Sequence, residues 1–338
     1  MDFKRVAIIG TDCISVSIAL GLRALAEPPE IVGTDADLAT ANLARKRGAY
    51  DRVERKPAWA CRDADLVIVA EPLPSLREVF ATIAPHLQPG CLVTDVAHLK
   101  APVMRWAEEF LPDNVFFVGG HPVPNPAFIG SEPLVGLEAA SPDLLREALY
   151  CFTPSTGTSG KVIDACTGLA ATLEAYPFFI DVIEHDGLQA GVAGLPDLLA
   201  IALLRATVDT PGWQEMRKFA DSRFAAATAA ATGADERATA LFLNREHVLP
   251  RLNALLRELV GLRDLLIEDD AEALEEAFIG TAEGRARWVE EQAQGMWITE
   301  SAIGTDHIPS VREQVTQMFL GERMATRLKE GPDHPRKE

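Results

Sequence analysis

The chain has 338 residues, a net charge of −18 and 48% hydrophobic residues. That length suits two domains with buried cores, and the acidic balance argues against a nucleic-acid partner. An anionic ligand would need a local basic pocket within an acidic surface.

Five cysteines, at 13, 61, 91, 151 and 166, form no C-x-x-C pair. This is the pattern of reduced thiols in a cytoplasmic protein, mostly small buried hydrophobes. The start, Met1-Asp2-Phe3-Lys4, runs at once into a strand, so no signal peptide is expected, and no run of about 18 apolar residues suggests a membrane span.

Taken in order, the chain opens with an apolar strand at Arg5–Ile9, broken by Gly10. Ile14, Ile18 and Leu22 recur at helical spacing until Glu27-Pro28-Pro29 stops them. A second strand, 30–35, ends on the carboxylate of Asp35, 25 residues beyond Gly10. Strand, glycine turn, helix, strand and acid follow one another as in a dinucleotide-binding βαβ unit.

The turn reads Gly10-Thr11-Asp12-Cys13-Ile14-Ser15 and keeps only the first of three fingerprint glycines. Asp12 sets a carboxylate where a diphosphate should sit. At ~4 Å that repulsion costs about 1 kcal/mol in water and about 4 at intermediate dielectric.

Helices are expected over 38–47, 76–87 and 103–110, and strands over 65–70, 90–96 and 114–120. Tyr150-Cys151-Phe152, a helix near 161–173 and an edge strand at 176–180 complete a mostly parallel, doubly wound sheet, an α/β fold of Rossmann type. From 182 the pattern turns helical: one stretch to Val208 kinked at Pro196, another from Pro211 to about Ala231, an amphipathic helix from Leu241 to Leu266, and a last one to about Gln294. The division expected is 1–181 for dinucleotide binding, 182–297 for substrate and dimerisation, and 298–338 as an extension. That extension holds one helix-like piece at 310–328 and a charged, disordered end at 330–338. Long apolar faces suggest a homodimer through the helical part.

Ligands of open α/β sheets lie beyond the carboxyl ends of the strands. Gly10, Thr11, Asp12, Ile14, Asp35, Glu71, Pro72 and Asp95 are therefore the candidate cofactor contacts. His98, Lys100 and His121 stand at neighbouring strand ends. Histidine suits proton transfer near neutral pH, and lysine could hold a carboxylate. Each has a plainer reading as a loop, surface or turn residue. The spacing of His98 and His121 matches no metal-ligand pattern, and no metal is expected.

Together these segments resemble the prephenate dehydrogenases and the related arogenate enzymes over about residues 5–295. Val16-Ser17-Ile18-Ala19 resembles the family's Gly-Ser-Leu-Ala, and 95–100 its Asp-Val-Gly-Ser-Val-Lys. Gly120-His121-Pro122 resembles its Gly-x-His-Pro-Met-Ala-Gly, and 184–186 with 194–196 its His-Asp and Ser-His-Leu-Pro helix. Ser222-Arg223 resembles a Thr-Arg pair, and Asn244-Arg245 an Asn-Arg pair.

The resemblance implies oxidative decarboxylation of prephenate or arogenate with NAD, in tyrosine biosynthesis. In that reading His121 takes the charge of the substrate hydroxyl, Arg223 holds a substrate carboxylate, and Asn125 lies beside the substrate. Asp35 would favour NAD over NADP. His98 stands where the family has serine, Ala193-Gly194 where it has Ser-His, and 123–125 where it has Met-Ala-Gly. Change gathered at the site leaves two alternatives open: a ligand-binding dimer that has lost the chemistry, or a dehydrogenase acting on a different small anionic substrate.

Overall fold

The computed structural model describes residues 3–125, 128 and 136–295. The extension from 298, with its helix-like piece and charged end, lies outside the described residues, as does the junction at 297.

Eight strands form one sheet: β1 (Arg5–Ile9), β2 (Glu30–Thr34), β3 (Arg52–Val53), β4 (Leu66–Val69), β5 (Leu92–Asp95), β6 (Phe116–Val123), β7 (Leu149–Pro154) and β8 (Tyr176–Phe179). Their order is β3-β2-β1-β4-β5-β6-β7-β8. Every neighbouring pair is parallel except β6 and β7. β4 and β5 are buried at every position; β4 reads as an unbroken apolar run, while β5 ends on the buried polar pair Thr94-Asp95.

Side chains of β1 alternate between two cores. Val6 and Ile8 join Val16, Ile18 and Phe152 on one face, while Ala7 and Ile9 join Val67, Phe80 and Val103 on the other. The helices that supply these faces are α1 (Cys13–Arg23), α2 (Leu38–Lys46), α3 (Pro57–Ala60), α4 (Leu76–Ile83), α5 (Ala101–Phe110) and α6 (Gly160–Thr172). All five cysteines are buried and free.

The two-residue β3 and the one-turn α3 were not expected, because segments so short carry no periodicity. A second difference bears on function. β6 does not end at Gly120 but continues through His121, Pro122 and Val123, with His121 paired to Cys151 of antiparallel β7. β5 pairs with β6 only as far as Val118, so a proline is tolerated beyond it. His121 is thus a strand residue, held more rigidly than the turn residue of the plainer reading.

Asp181 caps α7 (Val182–Gln189), and every described element after it is helical. A π-helical turn at 190–194 links α7 to α8 (Leu195–Thr207), so the expected irregularity at Pro196 falls one turn earlier. The helix expected from Pro211 to Ala231 is two pieces, α9 (Trp213–Met216) and α10 (Ser222–Thr228), because Asp221 starts a new helix by capping Arg223 N–H. α11 (Ala234–Leu243) and α12 (Arg245–Ile267) are separated at Asn244, and Asp270 caps α13 (Ala271–Ala293).

The run 182–207 is long and apolar enough to cross a membrane, a feature the sequence reading passed over, and only 22% of its most apolar window is buried in the single chain. Ile183, Leu188 and Val192 on this run, with Leu266, Ile267 and Phe278 on α12 and α13, are all at least half exposed. The helical half therefore presents apolar surface that calls for a cover.

Candidate active site

Gly10 leaves β1 with φ +91°, and a β carbon there would collide with the Ala70 backbone, so glycine is required. Its N–H donates to Thr34 O at 2.9 Å and ties the ends of β1 and β2 together. Asp12 then opens α1. Its carboxylate accepts the Ser15 N–H at 2.7 Å, and Ser15 Oγ accepts the Asp12 N–H at 3.0 Å, a reciprocal capping box. The acid that should repel a diphosphate is itself the anion at the positive end of α1. Asp35, just past β2, accepts N–H groups from Thr11 and Asp37, each at 2.7 Å.

These residues line a cleft of about 450 Å³ with Glu71, Pro72, His98 and Glu236. Four of its described lining residues are carboxylates and none is Lys or Arg. Burial, then the neighbouring Asp35 and Asp12, push the Glu71 carboxyl above the usual carboxylate range. The glycine cradle and the acid at the end of β2 fit the adenosine half of a dinucleotide. The α1 N-terminus admits the diphosphate only if Asp12 yields its place.

A second cluster lies where β5 and β6 end. Lys100 and Asp95 are fully buried. The Lys100 ammonium donates to Asp95 Oδ2 and to Gly120 O, while Asp95 accepts Gly120 N–H at 3.1 Å and Ala97 N–H at 3.0 Å. Burial pulls the lysine down and the acid up, each opposed by the other's charge. Gly120 makes the clamp possible, since a β carbon there would lie 2.5 Å from Asp95 O and 2.7 Å from Thr94 Oγ1.

Lys100 is therefore a strut between β5 and β6, its ammonium taken up by Asp95 and Gly120 O, and neither Lys100 nor Asp95 lines a described cavity. A Lys100→Met variant strands a buried carboxylate and should lose about 3–5 kcal/mol of stability. Thermal unfolding is the check, and an unchanged midpoint would remove the strut role.

The strut aims His121 at the helical half. His121 Nδ1 lies 3.0 Å from His185 Nε2, and His185 Nδ1 lies 2.9 Å from Asp186 Oδ1. Asp186 also accepts the Lys100 and Ala101 N–H groups at 2.8 and 2.7 Å, capping α5. An aspartate at His185 Nδ1 fixes the proton there, so His185 Nε2 accepts from His121 Nδ1–H. That leaves His121 Nε2 with a bare lone pair. Burial first, then His185, Lys100 and His98, hold His121 well below the ordinary histidine range, so it is neutral and basic in form.

His98 is half-buried between the cofactor cleft and a narrow cavity under α8 lined by Ala193, Gly194 and Asp197. Burial lowers its pKa, against the pull of Glu236 and Asp197.

Three expected contacts sit elsewhere. Ile14 packs against the core and does not line the described cleft. The Asn125 amide donates to Arg146 O at 2.6 Å, which ties it to the backbone before β7. Arg223 is exposed on α10, its N–H on Asp221, and lines none of the described cavities. The sequence reading also missed residues. His185 and Asp186 were visible only as a quoted pair, and Asp197, Glu236 and Arg237 carried no signal at all. A larger cavity of about 880 Å³ opens between α5, 155–159 and 243–247, but it contains neither His98 nor His121.

Residues 18–176 match the family model described as prephenate dehydrogenase, nucleotide-binding domain, and 181–279 match prephenate dehydrogenase, dimerization domain. The first match begins past the Gly10 turn, the part of the chain that departs most from the fingerprint. The prephenate dehydrogenase of Bacillus subtilis is 26% identical over 272 residues, 80% of this chain and 72% of that protein. The Lactococcus lactis enzyme of the same name is 32% identical over 204 residues, 60% and 53% of the two chains. In structure, the Aquifex aeolicus prephenate dehydrogenase solved with hydroxyphenyl propionate and NAD+ superposes with a TM-score of 0.75 at 21% identity, covering 85% of this chain and 99% of that one. With both halves matched in order, one to each domain model, the chain belongs to the prephenate dehydrogenase family.

Proposed function

We propose that the protein is an NAD-dependent dehydrogenase that oxidatively decarboxylates a cyclohexadienyl substrate of the prephenate and arogenate type. The observation that carries this is the bare Nε2 of His121, fixed by His185 and Asp186 and within electrostatic reach of His98, which lines the dinucleotide-type cleft. Bound NAD supplies a two-electron hydride acceptor. His121 Nε2 accepts the proton of the ring hydroxyl as the carbinol carbon loses its hydride. The ring carbon–carboxylate bond breaks, carbon dioxide leaves, and the bonding pair completes the aromatic ring. The buried Lys100–Asp95 clamp keeps β6, and so His121, from shifting during this step. Asp35 accepts ribose hydroxyls with its remaining lone pairs. The same carboxylate repels an added 2′-phosphate, which selects NAD over NADP.

Purified protein with NAD and either substrate should show a rise in absorbance at 340 nm. Silence with both would end the reading. The opposing reading, a ligand-binding dimer without chemistry, is favoured by Asp12, whose carboxylate holds the phosphate position. Calorimetry with NAD separates the two, since micromolar binding counts against lost cofactor affinity.

The region matched to a dimerization domain carries the exposed apolar faces of α8, α12 and α13. Phe278 is 69% exposed on α13, and the homodimer would bury it. Phe278→Asp should therefore convert dimer to monomer in sedimentation velocity, while an unaffected dimer would place the interface elsewhere.

A further inference from the structure

We infer that Glu236 makes the cofactor cleft select the oxidised nicotinamide over the reduced one. This rests on the proposed dehydrogenase function and adds which redox form of the cofactor the cleft prefers.

The two ends of the cleft are set by the sheet. Asp35, just past β2, lies at the adenosine end. Val96, Ala97 and His98, just past β5, line the other end, with β1 and β4 between the two. A dinucleotide laid from Asp35 across Gly10 therefore brings its nicotinamide toward 96–98. Glu236 lines the same cleft from α11, in the helical half. It is half-buried, and its carboxylate accepts the Leu73 N–H, just past β4, at 3.4 Å. Ala240, one turn further along α11, is buried in the same core as Leu73 and Leu76, which anchors the helix against this edge of the cleft. Arg237, the next residue, bonds Asp197 and does not line the cleft.

The oxidised ring carries one positive charge that the reduced ring lacks, while the diphosphate and riboses are common to both. Asp12 at the diphosphate and Asp35 at the ribose act alike on the two forms. Only a charge at the nicotinamide end tells them apart, and no Lys or Arg among the described lining residues offsets Glu236 there. A unit charge within ~6 Å of a carboxylate gains roughly three- to a hundredfold in affinity between water-like and intermediate dielectric. Glu236 loses its countercharge once the ring is reduced, which favours release of the spent cofactor.

The test is calorimetry of the full chain with NAD+ and with NADH, without substrate. Wild type should bind NAD+ more tightly by about three- to a hundredfold, and the ratio should narrow as ionic strength rises. Glu236→Gln keeps an oxygen for the Leu73 N–H and loses only the charge. It should weaken NAD+, leave NADH within about twofold, and bring the ratio close to one. Asp12→Asn should tighten both forms and leave the ratio in place. NADH bound as tightly as NAD+ or tighter, a ratio unmoved by salt or by Glu236→Gln, or a ratio that Asp12→Asn collapses equally, overturns the inference and leaves the dehydrogenase function standing. Binding of neither form overturns both. If neither substrate is oxidised but the Glu236-dependent preference for NAD+ is found, the dehydrogenase reading fails and the selection survives.

Discussion

Replacing His121 with alanine is expected to lower kcat by about 10²–10⁴ with little change in KM, because the hydroxyl proton then has no positioned acceptor. The size follows from geometry and not only from residue type. β6 and β7 hold the His121 backbone by their ladder, and His185 holds its Nδ1 at 3.0 Å, so Nε2 is directed with almost no conformational freedom. His185→Ala should cost less, since the base is retained while its tautomer and ring orientation are released. It should act on kcat and not on KM.

The pH profile separates the two roles. His121 is held well below the ordinary value by burial and by His185, Lys100 and His98. Neutral His121 therefore persists on the acid side of about 6.5, the unperturbed histidine value, and the acid limb of kcat lies below it. Removing His185 removes one of the depressing contributions, so the limb should move up. A His121→Ala enzyme with more than a tenth of wild-type kcat would show that some other group takes the proton. A His185→Ala profile identical to wild type would make that histidine a packing residue only.

The fold was legible because its signals repeat. Apolar runs, glycine breaks and helical periods recur from Arg5 to Phe179, and they mark seven of the eight strands, all but the two-residue β3. The site was legible only in part, because contact across the chain leaves no local mark. His121 could be picked from its neighbours Gly120 and Pro122, but its place inside a strand depends on β7, whose Cys151, paired with His121, lies 30 residues further on. Lys100 was read as exposed chemistry because its five-residue spacing from Asp95 does not reveal that both side chains turn inward. Arg237 and Asp197 are 40 residues apart and meet only in three dimensions. The helix expected across Asn244 broke because that side chain turns from continuing a helix to bonding Asp186 O at 2.9 Å and His247 at 2.8 Å.

Asp12→Asn should tighten NAD binding by about fivefold to a thousandfold, the span given by 1 to 4 kcal/mol of repulsion at ~4 Å between water-like and intermediate dielectric. Asparagine is as good an N-cap as aspartate, so α1 keeps its Ser15 contact and only the charge is lost. Asp12→Ala removes charge and cap together. It should tighten binding too, at a cost of about 1 kcal/mol in stability, so the pair of variants separates electrostatics from helix capping. Asp12 is exposed, which places the wild-type repulsion within reach of salt, and raising ionic strength should narrow the difference between wild type and Asp12→Asn.

Glu71 adds a pH dependence of defined sign. Its carboxyl is raised by burial, Asp35 and Asp12, so lowering pH protonates it before an ordinary carboxylate and relieves the cleft of one charge. NAD affinity should therefore climb as pH falls toward that raised value, and the climb should flatten in Glu71→Gln. Fluorescence titration with NADH measures all of these. If Asp12→Asn leaves the dissociation constant within twofold of wild type, the carboxylate swings clear of the diphosphate on binding and the capping box opens whenever cofactor enters.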